Sequence, residues 1–272
     1  MHFAINSDSL SPDTPAALRQ ARALGFNMVE INLQNAEFGY DFRRKPGGRF
    51  YRQLKTQLDD LGLSVWSTTA VPLTQRQMFF ERARRDILIG GATVAGILGS
   101  RVFVAQPADL FTSEIAFNNY LNNNTAPPTI EGYDEAWTQC VNRRVNMALL
   151  NIDYWLGIPL SNQVDRMARI TADLAIGWAM DTPLALHRNT LPNWLAALEQ
   201  RLALAYIYDL DDSGNVAAPR DKAWQEWLPQ LAQSSLKCLV IRAGAGQSPA
   251  EIAASLDYIR GILPSWSDGA TR

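Results

Sequence analysis

Glu30 interrupts the apolar stretch Met28–Leu33 and is expected to end the second strand at the barrel mouth. A carboxylate at the open end of a buried strand can take a proton or accept a hydrogen bond from a hydroxyl. It can equally be a rim carboxylate in water. His187 is one of only two histidines. Its ordinary pKa near neutrality suits acid–base work, although an imidazole in a strand-to-helix connection can simply be solvated. Trp66, Trp178 and Tyr208 fall in apolar stretches or at their ends; there they could stack on sugar rings or fill a core. The segment YDLDDSGN brings Asp209, Asp211 and Asp212 together. It lacks the closing Glu of a calcium loop, so Asp211 and Asp212 read as solvated. Ala243-Gly244-Ala245-Gly246 would let a ligand approach the backbone, whose amides could hold a phosphate. Arg43-Arg44-Lys45-Pro46-Gly47-Gly48-Arg49 is a basic loop that could attract an anion.

These residues need a scaffold, and the composition bounds it. The chain has 272 residues, 47% of them hydrophobic, with a formal net charge of -2. One domain with a sizeable core is expected, spanning residues 1–265 and followed by a frayed tail at 266–272. The charge balance offers no broad basic surface for nucleic acid or an anionic membrane. Cys140 and Cys238 form no CxxC pair, which fits a reducing compartment and argues against a disulfide framework or a structural zinc knot. The opening Met1–Asn6 does not resemble a signal peptide, and no apolar run reaches membrane-spanning length. A cytoplasmic location is the expectation.

Short apolar runs alternate with amphipathic stretches, as in a parallel sheet wrapped by helices. Strands are expected at Phe3–Asn6, Met28–Leu33, Leu63–Thr68, Val102–Ala105, Gly157–Ser161, Ala175–Met180, Leu202–Tyr208 and Lys237–Ile241. Helices are expected at Thr14–Leu24, Tyr51–Leu61, Gln77–Leu98, 135–156, Val164–Leu174, Leu191–Gln200, Trp224–Ala232 and Pro249–Leu263. Residues 106–134, with Asn122-Asn123-Asn124 and Pro127-Pro128, break the rhythm and read as a long loop, lid or insertion. Met147, Leu149, Leu150 and Trp155 read as the buried face of the helix around them. Eight strand–helix units in this length predict a single (β/α)8 TIM barrel of the α/β class, with an open doubly wound sheet as the alternative.

Four segments carry a family resemblance: LRQARALGFNMVEINL (Leu18–Leu33), LKTQLDDLGLSV (Leu54–Val65), AIGWAMDTPLALHRNTLPNWLAALEQRLALAYIYD (Ala175–Asp209) and WQEWLPQLAQSSLKCLVIRAG (Trp224–Gly244). In order and spacing they resemble the xylose isomerase-like family of sugar phosphate isomerases and epimerases. The resemblance implies a divalent metal at the carboxyl ends of the strands. Its ligands would be a Glu after strand five, an Asp after strand six, a His near strands six and seven, and a Glu after strand eight. Matched to that pattern, Asp181 keeps the strand-six Asp and Asp209 is retained after strand seven. Gln163 stands for the strand-five Glu, Leu184 for a histidine, Tyr206 for the strand-seven histidine and Arg242 for the final Glu.

Replacing one Glu by Gln and another by Arg moves the site by about three charge units, because Arg stays protonated. The expectation is a degraded site without metal or other cofactor, in which Arg242 pairs with Asp181, Asp209 or an anionic ligand. Arg242 could also just neutralise buried acids. Two functions stay open. The first is a divergent isomerase or epimerase using Glu30, Asp181, His187 and Asp209 for proton transfer, with Gln163, Tyr206, Arg242 and Trp66 binding substrate. The second is an inactive barrel holding a carbohydrate-like or anionic small molecule. A related endonuclease would need a His-rich zinc cluster, which two histidines do not supply. The resemblance also implies a homodimer.

Overall fold

The computed structural model describes residues 2–33, 47–69, 81–107, 114–122, 133–152, 160–170, 176–198, 200–244 and 247–264. Eight parallel strands close a barrel: β1 (His2–Asn6), β2 (Met28–Asn32), β3 (Ser64–Thr69), β4 (Val102–Ala105), β5 (Asn146–Leu150), β6 (Gly177–Asp181), β7 (Leu202–Ile207) and β10 (Cys238–Ile241). Closure comes from β1 lying parallel to β10, with Phe3 opposite Leu239 and Ile5 opposite Ile241. Between β7 and β10, the short strands β8 (Asp209–Leu210) and β9 (Val216–Ala217) form a separate antiparallel hairpin.

The strands are almost wholly buried because each has two covered faces. Alternation sorts their side chains into two apolar groups. Ala4, Met28, Val104, Ala148, Leu150, Ala179, Leu204 and Val240 belong to the cluster inside the barrel. Phe3, Ile5, Val29, Ile31, Phe103, Leu149, Met180, Leu239 and Ile241 face the surrounding helices. Those helices are α1 (Thr14–Ala23), α2 (Gly48–Asp60), α3 (Glu81–Leu98), α4 (Glu114–Leu121), α5 (Tyr133–Asn142), α6 (Ser161–Ile170), α7 (Thr182–His187), α8 (Leu191–Leu198), α9 (Trp224–Gln233) and α10 (Pro249–Ile262).

Two sequence expectations fail in the same region. The helix expected at 135–156 ends at Asn142, and β5 follows at Asn146. Arg144 takes a left-handed φ of 58°. The Val145 N–H returns to the Cys140 carbonyl at 2.8 Å, closing the helix end. An Arg in a position that usually favours Gly leaves no stop signal. The fully buried run Met147–Leu150 then has no period to separate strand from helix. Met147, Leu149 and Leu150 are therefore strand residues, and Trp155 lies outside the described residues. The strand expected at Gly157–Ser161 falls mostly outside them too, and Ser161 opens α6. The segment 106–134 contains α4 and the start of α5, with its remaining parts largely outside the described residues. The single helix expected at Leu191–Gln200 is preceded by α7, so His187 sits in a helix rather than a connection.

In two places the register between neighbouring strands shifts by a residue. One is opposite Val29/Glu30, where Trp66 is the extra residue in β3. The other is opposite Trp178/Ala179, where Ala203 is the extra residue in β7. Bulges reset the alternation and re-aim the side chains beyond them.

Candidate functional site

The carboxyl ends of β1, β2, β3, β6, β7 and β10 converge on one polar network. Glu30 is fully buried. Its Oε1 accepts from Asn6 Nδ2 at 2.8 Å. Its Oε2 accepts from Ser67 Oγ at 2.8 Å and from the Tyr206 hydroxyl at 2.8 Å. The bulge in β3 makes this arrangement work: Trp66 packs inside the barrel, yet the next residue, Ser67, also reaches inward to Glu30. Regular alternation would have turned Ser67 away.

Arg242 follows β10, its side chain only 19% exposed, with Nη2 3.5 Å from Glu30 Oε1 and Nη1 4.0 Å from Asp181 Oδ2. Its guanidinium carbon lies 3.7 Å from the centre of the Tyr206 ring, a cation–π stack that a planar guanidinium suits. Burial works against the charge. The surrounding Tyr206, Glu30 and Asp181 outweigh it and hold the Arg242 pKa above its ordinary value. Burial, followed by the Glu30 charge, pushes the Tyr206 pKa well up, so its hydroxyl keeps its proton and donates to Glu30.

Asp181 ends β6 and caps α7. Its Oδ1 accepts from Leu184 N–H at 3.3 Å and from the Tyr208 hydroxyl at 2.8 Å. Its own N–H donates to Asn151 Oδ1 at 2.7 Å. Asn151 is the buried residue that follows β5. A second polar pair sits on the β1–β2 side. Asn32, two residues beyond Glu30 on the same face of β2, donates from Nδ2 to Asp8 Oδ2 at 3.0 Å.

Of the eight residues expected to move protons or bind substrate, Glu30, Asp181, Tyr206 and Arg242 meet here, joined by Tyr208. The other four stand elsewhere. Gln163 is the third residue of α6, with Oε1 accepting from Leu160 N–H at 2.9 Å; β5 ends at Leu150, so Asn151 rather than Gln163 directly follows it. His187 is exposed at the last position of α7. Asp209 accepts from Asp221 N–H at 2.9 Å and Trp224 Nε1 at 2.7 Å, which ties the hairpin to the start of α9. Trp66 packs with His2, ring centres 5.0 Å apart, and under Arg101 at 5.0 Å. His2 begins β1 and Arg101 precedes β4, so Trp66 lies toward the amino-terminal floor. Asn6, Ser67, Asn151, Asp8 and Asn32 were not singled out. A lone polar residue at the end of an apolar run was their only signal.

Other expectations also resolve within the chain. The amides of Ala243 and Gly244 donate to Ser9 Oγ at 2.9 Å and Gln247 Oε1 at 2.9 Å, and are committed to protein partners. Residues 245–246 and most of the basic loop, 43–46, lie outside the described residues. Burial pushes the Cys140 thiol up to about 12, and burial with the Glu30 charge pushes Cys238 well up, so both behave as core residues. Among the described residues, no helix is long and apolar enough to cross a membrane.

No family model matches the sequence, and no curated protein does. Solved structures do. A xylose isomerase domain protein from Alicyclobacillus acidocaldarius subsp. acidocaldarius superposes with a TM-score of 0.68 at 12% identity, over 97% of this chain and 98% of that one. The chain has the xylose isomerase-like barrel fold. A D-psicose 3-epimerase with D-tagatose from Clostridium cellulolyticum H10 superposes with a TM-score of 0.66 at 12% identity, over 97% and 99% of the two chains. A 3-keto-D-glucoside 4-epimerase from E. coli gives 0.61 at 12% identity, over 96% and 99%. At such identities the likeness is one of fold, and activity must be argued from the site.

Proposed function

We propose that this xylose isomerase-like barrel binds a carbohydrate-like small molecule at the carboxyl-terminal mouth without a divalent cation. One observation carries the proposal: the Arg242 guanidinium stands between Glu30 and Asp181, within 3.5 and 4.0 Å of them. A divalent cation would need those oxygens, and a fixed positive charge beside them opposes it. The rest of the donor set fits a metal poorly. Glu30 already accepts three hydrogen bonds, and an amide, Asn151, follows β5. Among the described residues, no group of three or more His, Cys, Asp or Glu side chains could hold a metal ion. Elemental analysis of protein expressed in metal-supplemented medium and gel-filtered tests this. Clearly substoichiometric Mn, Co and Zn is expected, and a near-equimolar amount of any of them rejects the reading.

Binding is favoured over proton transfer because the acids are occupied. Glu30 already accepts three hydrogen bonds and lies 3.5 Å from Arg242, and Asp209 is bound to its own chain. A second reading, a metal-independent isomerase or epimerase, draws on the Tyr208 hydroxyl held on Asp181 at 2.8 Å, where a proton could pass at the mouth. The epimerases sharing this fold add to it by analogy. Incubation with neutral sugars in D2O separates the two. An isomerase or epimerase that works by proton transfer exchanges a carbon-bound hydrogen, read by mass spectrometry, whereas a binding barrel leaves the sugar unlabelled.

A further inference from the structure

We infer that the chain carries a second small-molecule site, between α5 and the start of β5, and that it takes a small organic carboxylate with an aromatic or branched apolar body. A cavity of about 290 Å³ lies there, its lining running from Trp137 on α5 to Met147 on β5. The mouth is at the other end of that strand, where Asn151, next after Leu150, bonds the Asp181 N–H. Protein interiors leave few voids larger than one water, whose share of liquid volume is about 30 Å³. A gap this large beside the layer between helix and strand is a departure from close packing.

The walls are apolar. Cys140, Val145 and Met147 are buried members of the core outside the barrel, and Trp137 packs half-buried against it. Val141 also lines the cavity and is 50% exposed. The polar part of the lining is Arg144 and Asn146, both exposed, so the cavity has a solvent-facing side. No residue of the lining is acidic. Trp and Val walls suit an aromatic or branched body, a guanidinium pairs bidentately with a carboxylate, and an amide beside it can donate as well. A sugar would set hydroxyls against apolar walls, and a cation would find Arg144 as the charged residue of the lining.

The backbone at Arg144 favours a different residue. Its φ of 58° is left-handed, a conformation that Gly adopts without strain when it closes a helix. What Arg adds there is its side chain. Structure and binding can therefore be separated in one variant: Arg144→Gly removes the guanidinium and relieves the backbone together.

Fluorine NMR titration of the full chain with para-fluorobenzoate, and with para-fluorobenzamide as its uncharged near-isostere, tests this. Saturable binding of the carboxylate is expected, with the benzamide about tenfold weaker. Arg144→Gly should weaken the carboxylate about tenfold with a thermal midpoint no lower than that of the parent. Val141→Asp, at an exposed position, should weaken it several-fold by placing a like charge beside it. The inference is overturned if the carboxylate does not saturate, or if the benzamide binds as tightly. It is equally overturned if both variants bind the carboxylate as the parent does, which would put the ligand elsewhere, as beside Arg242 at the mouth.

Discussion

Within the site, Glu30 and Arg242 define what each can do. A fully buried carboxylate is tolerated because three donors and a guanidinium surround it. Removing the acid leaves Asn6, Ser67, Tyr206 and Arg242 without their shared acceptor. Glu30→Ala should therefore destabilise the fold by about 3–5 kcal/mol in urea unfolding. Tyr206→Phe keeps the ring under Arg242 and deletes one bond to a charged acceptor, so a smaller loss of about 1.5–3 kcal/mol is expected in the same experiment. Equal losses would show that the network does not act through Glu30.

Elements position these residues through details that periodicity does not encode. Expected and observed strands agree within a residue or two at β1 to β4, at β6, β7 and β10, where apolar runs are bounded by Gly or polar residues. Agreement fails at β5, whose preceding helix ends on Arg144 rather than Gly. That error carried Gln163 into the site and hid Asn151. The bulge at Trp66 has the same character: it turns two consecutive residues inward, which a period of two cannot predict. Gly244 illustrates a close approach made by the chain itself. A Cβ there would lie 2.1 Å from the Val216 carbonyl oxygen, in the hairpin. Gly244→Ala must displace backbone and should lower stability by about 1–3 kcal/mol, read as a fall in the thermal midpoint. At α10, Ser248 and Glu251 form a reciprocal cap, and Ser248→Ala should cost about 1 kcal/mol by the same measurement.

For the whole molecule, stability should depend on pH through the barrel floor. His2 has its pKa lowered, chiefly by burial and further by nearby positive charge including Arg101. The unfolded chain therefore binds this proton more readily than the folded one. The sign follows: stability is fully present above the unfolded value of about 6.5 and declines as pH falls below it toward the folded value. Thermal midpoints measured from pH 8 to pH 5 should show this decline, and His2→Gln should flatten it. If the mouth works without a divalent cation, as proposed, a chelator should leave the midpoint unchanged at neutral pH.

The sequence by itself determined the alternation of apolar strands and amphipathic helices, with a closed barrel expected and an open sheet as the alternative, and the strand ends that carry Glu30, Asp181, Tyr206 and Arg242. Those are local properties, written in periods and stop signals. Tertiary structure alone decided that Arg242 lies between two acids, that Glu30 accepts three hydrogen bonds, that Asp209, Trp66 and Gln163 bond or pack with partners outside the network, and that His187 is exposed. Those facts depend on closure, which joins β1 to β10, and on two bulges that rotate particular side chains inward. Contacts between residues as distant as Glu30 and Arg242 exist only once the sheet has met itself, so no local pattern in the chain can announce them.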